Sequence, residues 1–191
     1  MRRFERNQIV RFLRAVDSAL DGNVEIFVVG GLAAILQYDA AVKTADMDVY
    51  AIVDGHQSNL KRASRVAADA TGITLEINSA TVAELPWNYE DRVKHVRGLR
   101  LKKLRMIVPD KYDLVLSKAL RGYEHDLEAI ASIHEHHRLS EKALARILED
   151  EIWKIAMGDP RKFAFNMFHV MRLLYGADRA EVYRARWGLD K

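Results

Sequence analysis

The stretch Val28-Val29-Gly30-Gly31-Leu32, followed by Lys43-Thr44-Ala45-Asp46-Met47-Asp48-Val49-Tyr50, decides the fold class of this 191-residue chain. The residues that lead into the glycine pair predict a strand, and those that follow it predict a short helix. A glycine pair at such a junction lets backbone amides approach a phosphate, because no Cβ intervenes. Since the helix also contributes its positive end, the pattern predicts an anion site at Gly30 and Gly31.

The second half of this stretch places two carboxylates at the entry to another predicted strand, residues 48–53. Side chains two positions apart on a strand point the same way, so Asp46 and Asp48 are expected on one face. Adjacent carboxylates repel each other unless a cation lies between them. Hard oxygen ligands of this kind suit Mg²⁺ bridging to substrate phosphates.

Hydrophobic periodicity predicts the remaining elements and divides the chain. An amphipathic helix over 4–20, a helix over 56–70, a strand over 74–77 and a hairpin around Arg97-Gly98 complete an α/β region, residues 1–109. A helical region, residues 110–191, follows. Its predicted helices span 112–120, 126–133, 144–156 and 163–175, with a last helix capped by Asp178.

Composition narrows the function classes. The chain has no Cys, which excludes disulfides and thiolate metal sites. It has neither a signal-peptide pattern nor an apolar run approaching the roughly 20 residues of a membrane span, so we expect a cytoplasmic protein without a membrane partner. The net charge of +3 permits a polyanionic partner without requiring one.

The order strand, Gly-Gly, short helix, Thr-x-Asp-x-Asp, strand resembles the DNA polymerase β-like nucleotidyltransferase superfamily. The similarity continues through Lys118, Arg121 and His125-Asp126-Leu127-Glu128, and covers about residues 24–133. This second part is similar to a bacterial branch that includes the AbiEii-type toxins of toxin–antitoxin systems and related uncharacterised proteins. The resemblance implies an α+β nucleotidyltransferase fold, in which a small mixed sheet flanked by helices precedes a helical C-terminal region.

The resemblance also implies an activity and roles for individual residues. A nucleoside monophosphate would pass from a nucleoside triphosphate to an acceptor, which is an RNA such as tRNA, a protein or a small molecule. A toxin of this kind would have a cognate antitoxin. Asp46 and Asp48 would ligate Mg²⁺ or Mn²⁺. The phosphates would be held by the remaining site residues: Gly30, Gly31, Thr44, Lys118 and Arg121. Asp126 would position Lys118 or act as a base.

Two alternatives stay open. The superfamily usually adds a third carboxylate from a neighbouring strand, and the best candidate is Glu76, although a solvent-facing strand residue is an equal interpretation. Without a third acid the protein is a catalytically weak or inactive nucleotide-binding module. The basic stretch 94–105 is the second case. It suits an RNA backbone, but its charges do not share one strand face, which favours a solvated hairpin.

Overall fold

The structure, a computed structural model, describes residues 2–53, 57–80, 84–154 and 158–190. It consists of two compact units: the first comprises Met1–Ala83 and Val93–Pro109, and the second comprises Glu84–Arg92 and Asp110–Lys191. The segment Glu84–Arg92 therefore lies in the second unit, although the sequence-based boundary at residue 109 groups it with the first. Ion pairs of Arg92 with side chains of the second unit account for this placement.

The first unit is built around a five-stranded mixed sheet in the order β3-β2-β1-β5-β4. Strand β1 runs antiparallel to β2 and parallel to β5, while β3 is parallel to β2 and β4 antiparallel to β5. The mixed sheet confirms the predicted fold class. The elements, in chain order, are α1 (Arg6–Ala19), β1 (Val24–Val28), α2 (Gly30–Tyr38), β2 (Asp46–Val53), α3 (Gln57–Thr71), β3 (Glu76–Ser79), β4 (Lys94–His95) and β5 (Leu104–Val108).

One face of this sheet supplies the core of the first unit. Alternate residues of its strands are almost fully buried, as in Ile26, Met47 and Met106. Helices α1 and α3 pack against each other, and α1 contributes an apolar stripe that includes Phe12 and Leu13. The opposite sheet face therefore carries the intervening residues, among them both aspartates of β2.

The second unit is helical in its described residues. A 3₁₀ helix, Tyr89–Arg92, precedes α4 (Lys111–Arg121), α5 (Glu124–His137), α6 (Glu141–Ile147), α7 (Pro160–Tyr175) and α8 (Ala177–Arg186). A π-helical turn, Leu148–Ile152, continues α6. The Asp159 carboxylate caps α7 by accepting from the Arg161 amide at 2.9 Å, as the Gly-Asp-Pro sequence predicts.

Several predicted boundaries differ from the observed ones. The N-cap of α8 is Gly176, so the prediction that Asp178 caps this helix is wrong, and Asp178 lies in its first turn instead. Strand β3 begins at Glu76 rather than at residue 74, because its pairing with β2 starts where β2 itself begins. The predicted helices 56–70 and 144–156 extend, at residues 56 and 155–156, outside the described residues. In the part of the chain that the structure describes, no helix is long and apolar enough to span a membrane.

Candidate active site

The glycine pair lies against the start of β2 in the first unit, with Gly30 next to Asp48 and Gly31 next to Thr44. Gly30 has a positive φ of 69°, and a Cβ added to it would overlap the Oδ2 of Asp48. A Cβ on Gly31 would lie 3.1 Å from both the Cβ and the Oγ1 of Thr44. Only glycine lets the first turn of α2 lie this close to the start of β2. The structure thus brings together the residues that the sequence pattern singled out.

Backbone hydrogen bonds fix the approach of β2 to this turn. The Val29 amide donates to the Asp48 carbonyl at 3.0 Å. Thr44 is held by a β-bridge to Phe4, and its Oγ1 accepts from the Asp46 amide at 3.3 Å. These contacts determine where the two aspartates enter the strand.

The register between β2 and β3 determines the neighbours of the aspartates. Asp46 pairs with Glu76, and Asp48 pairs with Asn78. Paired residues of parallel strands project to the same face, and strands lie about 4.8 Å apart, so Glu76 and Asn78 flank the aspartates. Burial agrees with this alternation, because Asp46 and Asp48 are partly exposed whereas the intervening Met47 is buried.

The first turn of α2 provides the electropositive component of this site. The residue at its N-cap, Val29, is apolar and makes no side-chain capping hydrogen bond. The amide groups at a helix start carry a partial positive charge that favours anions. Two carboxylates and a helix start therefore lie side by side, a combination that suits a cation together with the phosphates that it bridges.

The donor set fits Mg²⁺ or Mn²⁺ only in part. Within the described residues, no three His, Cys, Asp or Glu side chains are grouped so as to hold a metal ion, and the carboxylate of Glu76 therefore does not complete such a group. Mg²⁺ in proteins is commonly held by one or two carboxylates, with the other positions taken by water and substrate phosphates. Asp46 and Asp48 fit that mode of binding, in which the nucleotide supplies part of the coordination.

A family model described as nucleotidyltransferase of unknown function (DUF6036) matches residues 7–172. The chain belongs to this nucleotidyltransferase family. The match spans both units and includes every candidate site residue. No curated protein and no solved structure is similar enough to the chain to count as a match. The family supports a nucleotidyltransferase in general, and the resemblance to the AbiEii-type branch stays a prediction.

The remaining candidate site residues, Lys118, Arg121 and Asp126, lie in the second unit and form one cluster. The carboxylate of Asp126 accepts from the Lys118 Nζ at 2.9 Å and from the Arg121 Nε and NH2 at 3.1 and 2.7 Å. Asp126 is fully buried and Lys118 is 3% exposed, whereas the side chain of Arg121 is 42% exposed. A buried carboxylate thus holds two cationic side chains in fixed positions.

The charge state of Asp126 follows from these contacts. Burial by itself would raise the pKa of Asp126, but the hydrogen bonds and charges of Arg121 and Lys118 outweigh that effect and hold the pKa below its usual range. Both carboxylate oxygens already accept from cations. A carboxylate with a lowered pKa and occupied oxygens is a poor proton acceptor, so this geometry favours positioning over general-base catalysis.

A second charged cluster of the second unit has no counterpart in the sequence predictions. Arg92 donates to Asp113 at 2.8 Å and to Glu151 at 2.7 Å, and so links the 3₁₀ helix, α4 and the π-helical turn. Asp113 is fully buried, and burial raises its pKa to about 6 against the opposing effect of Arg92. The sequence signal that could have found it is an aspartate at the second position of the predicted helix 112–120, next to an apolar run.

Proposed function

We propose that this nucleotidyltransferase transfers a nucleoside monophosphate from a nucleoside triphosphate to an acceptor hydroxyl or phosphate in a Mg²⁺-dependent reaction. The observation that carries the proposal is the contact of the Asp48 carboxylate with Gly30 at the first turn of α2. It joins a hard oxygen ligand to an anion-binding helix start in one compact unit. Nothing in the packing of an ordinary turn requires a carboxylate at that point.

The reaction balances as a displacement at phosphorus. An acceptor oxygen forms a bond to the α-phosphorus, the bond from that phosphorus to the bridging oxygen breaks, and pyrophosphate leaves with the electron pair. A metal ion held by Asp46 and Asp48 would neutralise charge on the phosphate oxygens. The amides of Gly30 and Gly31 would bind phosphate oxygens, whereas the Thr44 hydroxyl donates to the Asp46 carbonyl at 3.2 Å and so would position Asp46. Glu76, which lies next to Asp46 in register, would take the proton of the acceptor.

The superfamily resemblance implies that the cationic cluster of the second unit would act on the nucleotide as well. Lys118 and Arg121 supply the positive charge that favours a triphosphate or a departing pyrophosphate. Asp126 holds both in place and, being fully buried, does not itself reach a substrate. The exposed fraction of Arg121 makes it the member of the cluster that is most accessible to a ligand.

The test is label transfer from α-³²P-labelled nucleoside triphosphates in the presence of Mg²⁺ and cellular RNA or protein. We expect the wild-type chain to transfer label and Asp48→Ala to lose at least 100-fold, on the order of the loss of one electrostatic contact in a water-excluded site. The exposed Asp69→Ala, on α3, is the matched control and retains transfer. Equal labelling by wild type and Asp48→Ala would remove Asp48 from the mechanism.

A second candidate is a nucleotide-binding module of the same fold with little or no turnover. It is favoured by the lack, among the described side chains, of an assembled group of three metal-binding residues. Such a module binds the Mg²⁺ complex of a triphosphate with an affinity that depends on Asp48, yet transfers no label. Equilibrium dialysis with the same labelled nucleotides separates it from the enzyme.

The biological setting that we propose follows the AbiEii-type resemblance. The protein would act as a toxin that modifies an RNA, a protein or a small molecule, and a cognate antitoxin would restrain it. Growth arrest on induction that depends on Asp48, and is relieved by a neighbouring gene product, is the expected outcome. Growth that is unaffected by the wild-type protein would leave the transferase chemistry without a toxic role.

A further inference from the structure

A single segment of the first unit concentrates positive charge. Residues 94–105, here called the basic segment, contain six Lys or Arg side chains and no Asp or Glu. They form β4, the start of β5 and the loop that joins them. Strand β4 is the outermost strand of the sheet, at the edge opposite β3. The excess of positive charge therefore lies at one edge of the sheet.

Helix α1 holds this loop in a defined conformation. The buried carboxylate of Asp17 accepts from the backbone amides of Lys102, Lys103 and Leu104 at 3.0, 2.7 and 2.7 Å. Arg14 donates from its Nε to the Leu99 carbonyl at 3.3 Å. A solvated hairpin tip has no need of a buried carboxylate that binds three consecutive amides. The anchoring presents the basic side chains in preset positions, which lowers the entropic cost of binding a ligand.

The charges of the loop are available to a ligand. Arg97, Arg100, Lys102 and Arg105 are all exposed. Within the described residues, none of these four side chains forms a hydrogen bond or an ion pair with another side chain or with the backbone. The nearest acidic residue by register is Glu25, which pairs with Arg105 across β1 and β5 without forming an ion pair.

The loop also borders a cavity of about 260 Å³. Its lining combines cationic side chains, Arg100 and Arg105, with the apolar Leu99 and Met106 and with the imidazole of His95. Phosphate backbones bind to cations, while unstacked bases bind to apolar and planar groups. A cavity in which both kinds of group meet suits a nucleotide unit better than it suits a free inorganic anion.

We propose that the basic segment binds the phosphate backbone of a nucleic acid, which makes the acceptor of the proposed transferase a nucleic acid. That the bound nucleic acid is the acceptor rests on the proposed function, whereas the binding itself does not. Arg105 lies two strands away from Asp48 and about four residues along the sheet, a separation of about 16 Å. A stacked strand that advances about 3.4 Å per nucleotide covers this distance in about five nucleotides. A strand end at the aspartates would thus have its upstream phosphates at the basic segment.

Salt dependence of binding tests the proposal. Fluorescence anisotropy with a labelled 20-nucleotide single-stranded RNA, and with DNA of the same sequence, gives the slope of log affinity against log salt. We expect Arg97→Ala/Lys102→Ala/Arg105→Ala to lower that slope by about 2, which is three contacts at about 0.7 each, and to weaken binding by on the order of tenfold. Tighter binding of RNA identifies an RNA acceptor, and equal binding identifies a site for the backbone of either.

The matched control removes three exposed cations elsewhere in the same unit. Arg3→Ala/Lys61→Ala/Arg65→Ala has the same change in net charge and should keep the wild-type slope. Equal losses in the two triple variants, or a wild-type chain whose binding does not respond to salt, would overturn the proposal. Thermal unfolding by circular dichroism verifies that both variants are folded.

Nucleotide binding separates this inference from the proposed function. The basic-segment variant should bind Mg²⁺ and ATP like the wild type in equilibrium dialysis, because none of its substitutions lies near Gly30 or Asp48. Asp48→Asn should show the reverse, with ATP binding lost and RNA binding kept. A wild-type chain that binds RNA through the basic segment but does not bind nucleotide would contradict the proposed function alone.

Discussion

Gly30 and Gly72 adopt the same backbone conformation in different surroundings. Their φ values are +69° and +67°, a region that disfavours side chains. A Cβ at Gly30 would overlap the Asp48 carboxylate, whereas a Cβ at Gly72 would meet nothing within 4 Å. The pair therefore separates the cost of the backbone conformation from the cost of displacing Asp48.

Alanine at either glycine should destabilise the fold by roughly 1–2 kcal/mol through the left-handed conformation alone. We expect Gly30→Ala to cost more than Gly72→Ala, because Asp48 must also move. Only Gly30→Ala should weaken the binding of Mg²⁺ and nucleotide. Urea unfolding measures the first effect, and equilibrium dialysis the second. Equal behaviour of the two variants would show that the contact with Asp48 has no consequence for the site.

At the same scale, the roles of single residues were only partly visible in the sequence. The Gly-Gly and Asp-x-Asp spacing predicted that these residues lie together, and the structure places Asp48 against Gly30. Glu76 could be proposed but not placed, because its register beside Asp46 depends on a pairing between strands that are far apart in the chain. The sequence near Glu76 predicts neither that its side chain is exposed nor that its carboxylate fails to form a three-residue metal-binding group with the aspartates.

Among the elements, the junction of the 3₁₀ helix, α4 and the π-helical turn depends on one guanidinium that serves two carboxylates. Arg92 binds Asp113 and Glu151, and Asp113 is the fully buried member. With one cation between two acids, the carboxylate that has lost all contact with water is the one that more readily takes up a proton. This accounts for the opposite pKa shifts of the two acids, upward for Asp113 and downward for Glu151.

The raised pKa of Asp113, about 6, predicts a pH-dependent stability. Between the unfolded value of about 3.9 and this value, the folded chain binds a proton that the unfolded chain has lost. The contribution of Asp113 is therefore most favourable at low pH and declines as pH rises through 6. Relative to Asp113→Asn, we expect the wild type to lose about 2 kcal/mol between pH 4 and pH 6.5, at about 1.4 kcal/mol per unit of pKa.

Urea unfolding of both proteins across that pH range is the measurement, and Asp17→Asn is the control. Burial acts to raise the pKa of Asp17, but hydrogen bonds from the Leu104, Lys102 and Lys103 amides outweigh it and lower the pKa. Its contribution is lost only as pH falls below the ordinary range of a carboxyl, so the difference from wild type should stay constant between pH 4.5 and 6.5. Parallel curves for wild type and Asp113→Asn would contradict the assignment.

Most elements were predictable because their signals are local. The strand before Gly30, the Asp-Pro start of α7 and the helices after Pro109 follow from periodicity and capping. Three features were not predicted correctly. The parallel pairing of β1 with β5 joins residues about 80 positions apart, and the π-helical turn interrupts a run that periodicity treats as one helix. The prediction that Asp178 caps α8 was wrong because Gly176, with a φ of 90°, occupies the N-cap two residues earlier.

For the whole molecule, the division into two units changes how a boundary inferred from the sequence should be understood. A change from mixed to all-helical periodicity at Pro109 marks where the elements change, not where each segment packs. Residues 84–92 precede that change, yet they pack with the helical unit through Arg92. The family match across residues 7–172 includes residues of both units.

The participation of the second unit in nucleotide binding can be measured by ligand-induced stabilisation. A ligand at 100 times its Kd stabilises the folded state by about 2.7 kcal/mol. For a chain of this length, that corresponds to a rise in Tm of roughly 5–11 °C. We expect Mg²⁺ with the preferred triphosphate to produce such a rise in the wild type and none in Asp48→Asn.

Substitution of Arg121 tests whether the second unit contributes to nucleotide binding. Its side chain is 42% exposed, so Arg121→Ala should fold and can be compared with and without ligand. If Arg121 binds phosphate, its removal costs about 1.5–3 kcal/mol of binding, which at a fixed ligand concentration removes more than half of the rise in Tm. Arg179→Ala, which removes a 69% exposed cation that also pairs with an acid of the second unit, should keep the full rise. Equal shifts in the two variants would confine nucleotide binding to the first unit and leave Lys118, Arg121 and Asp126 with a structural role.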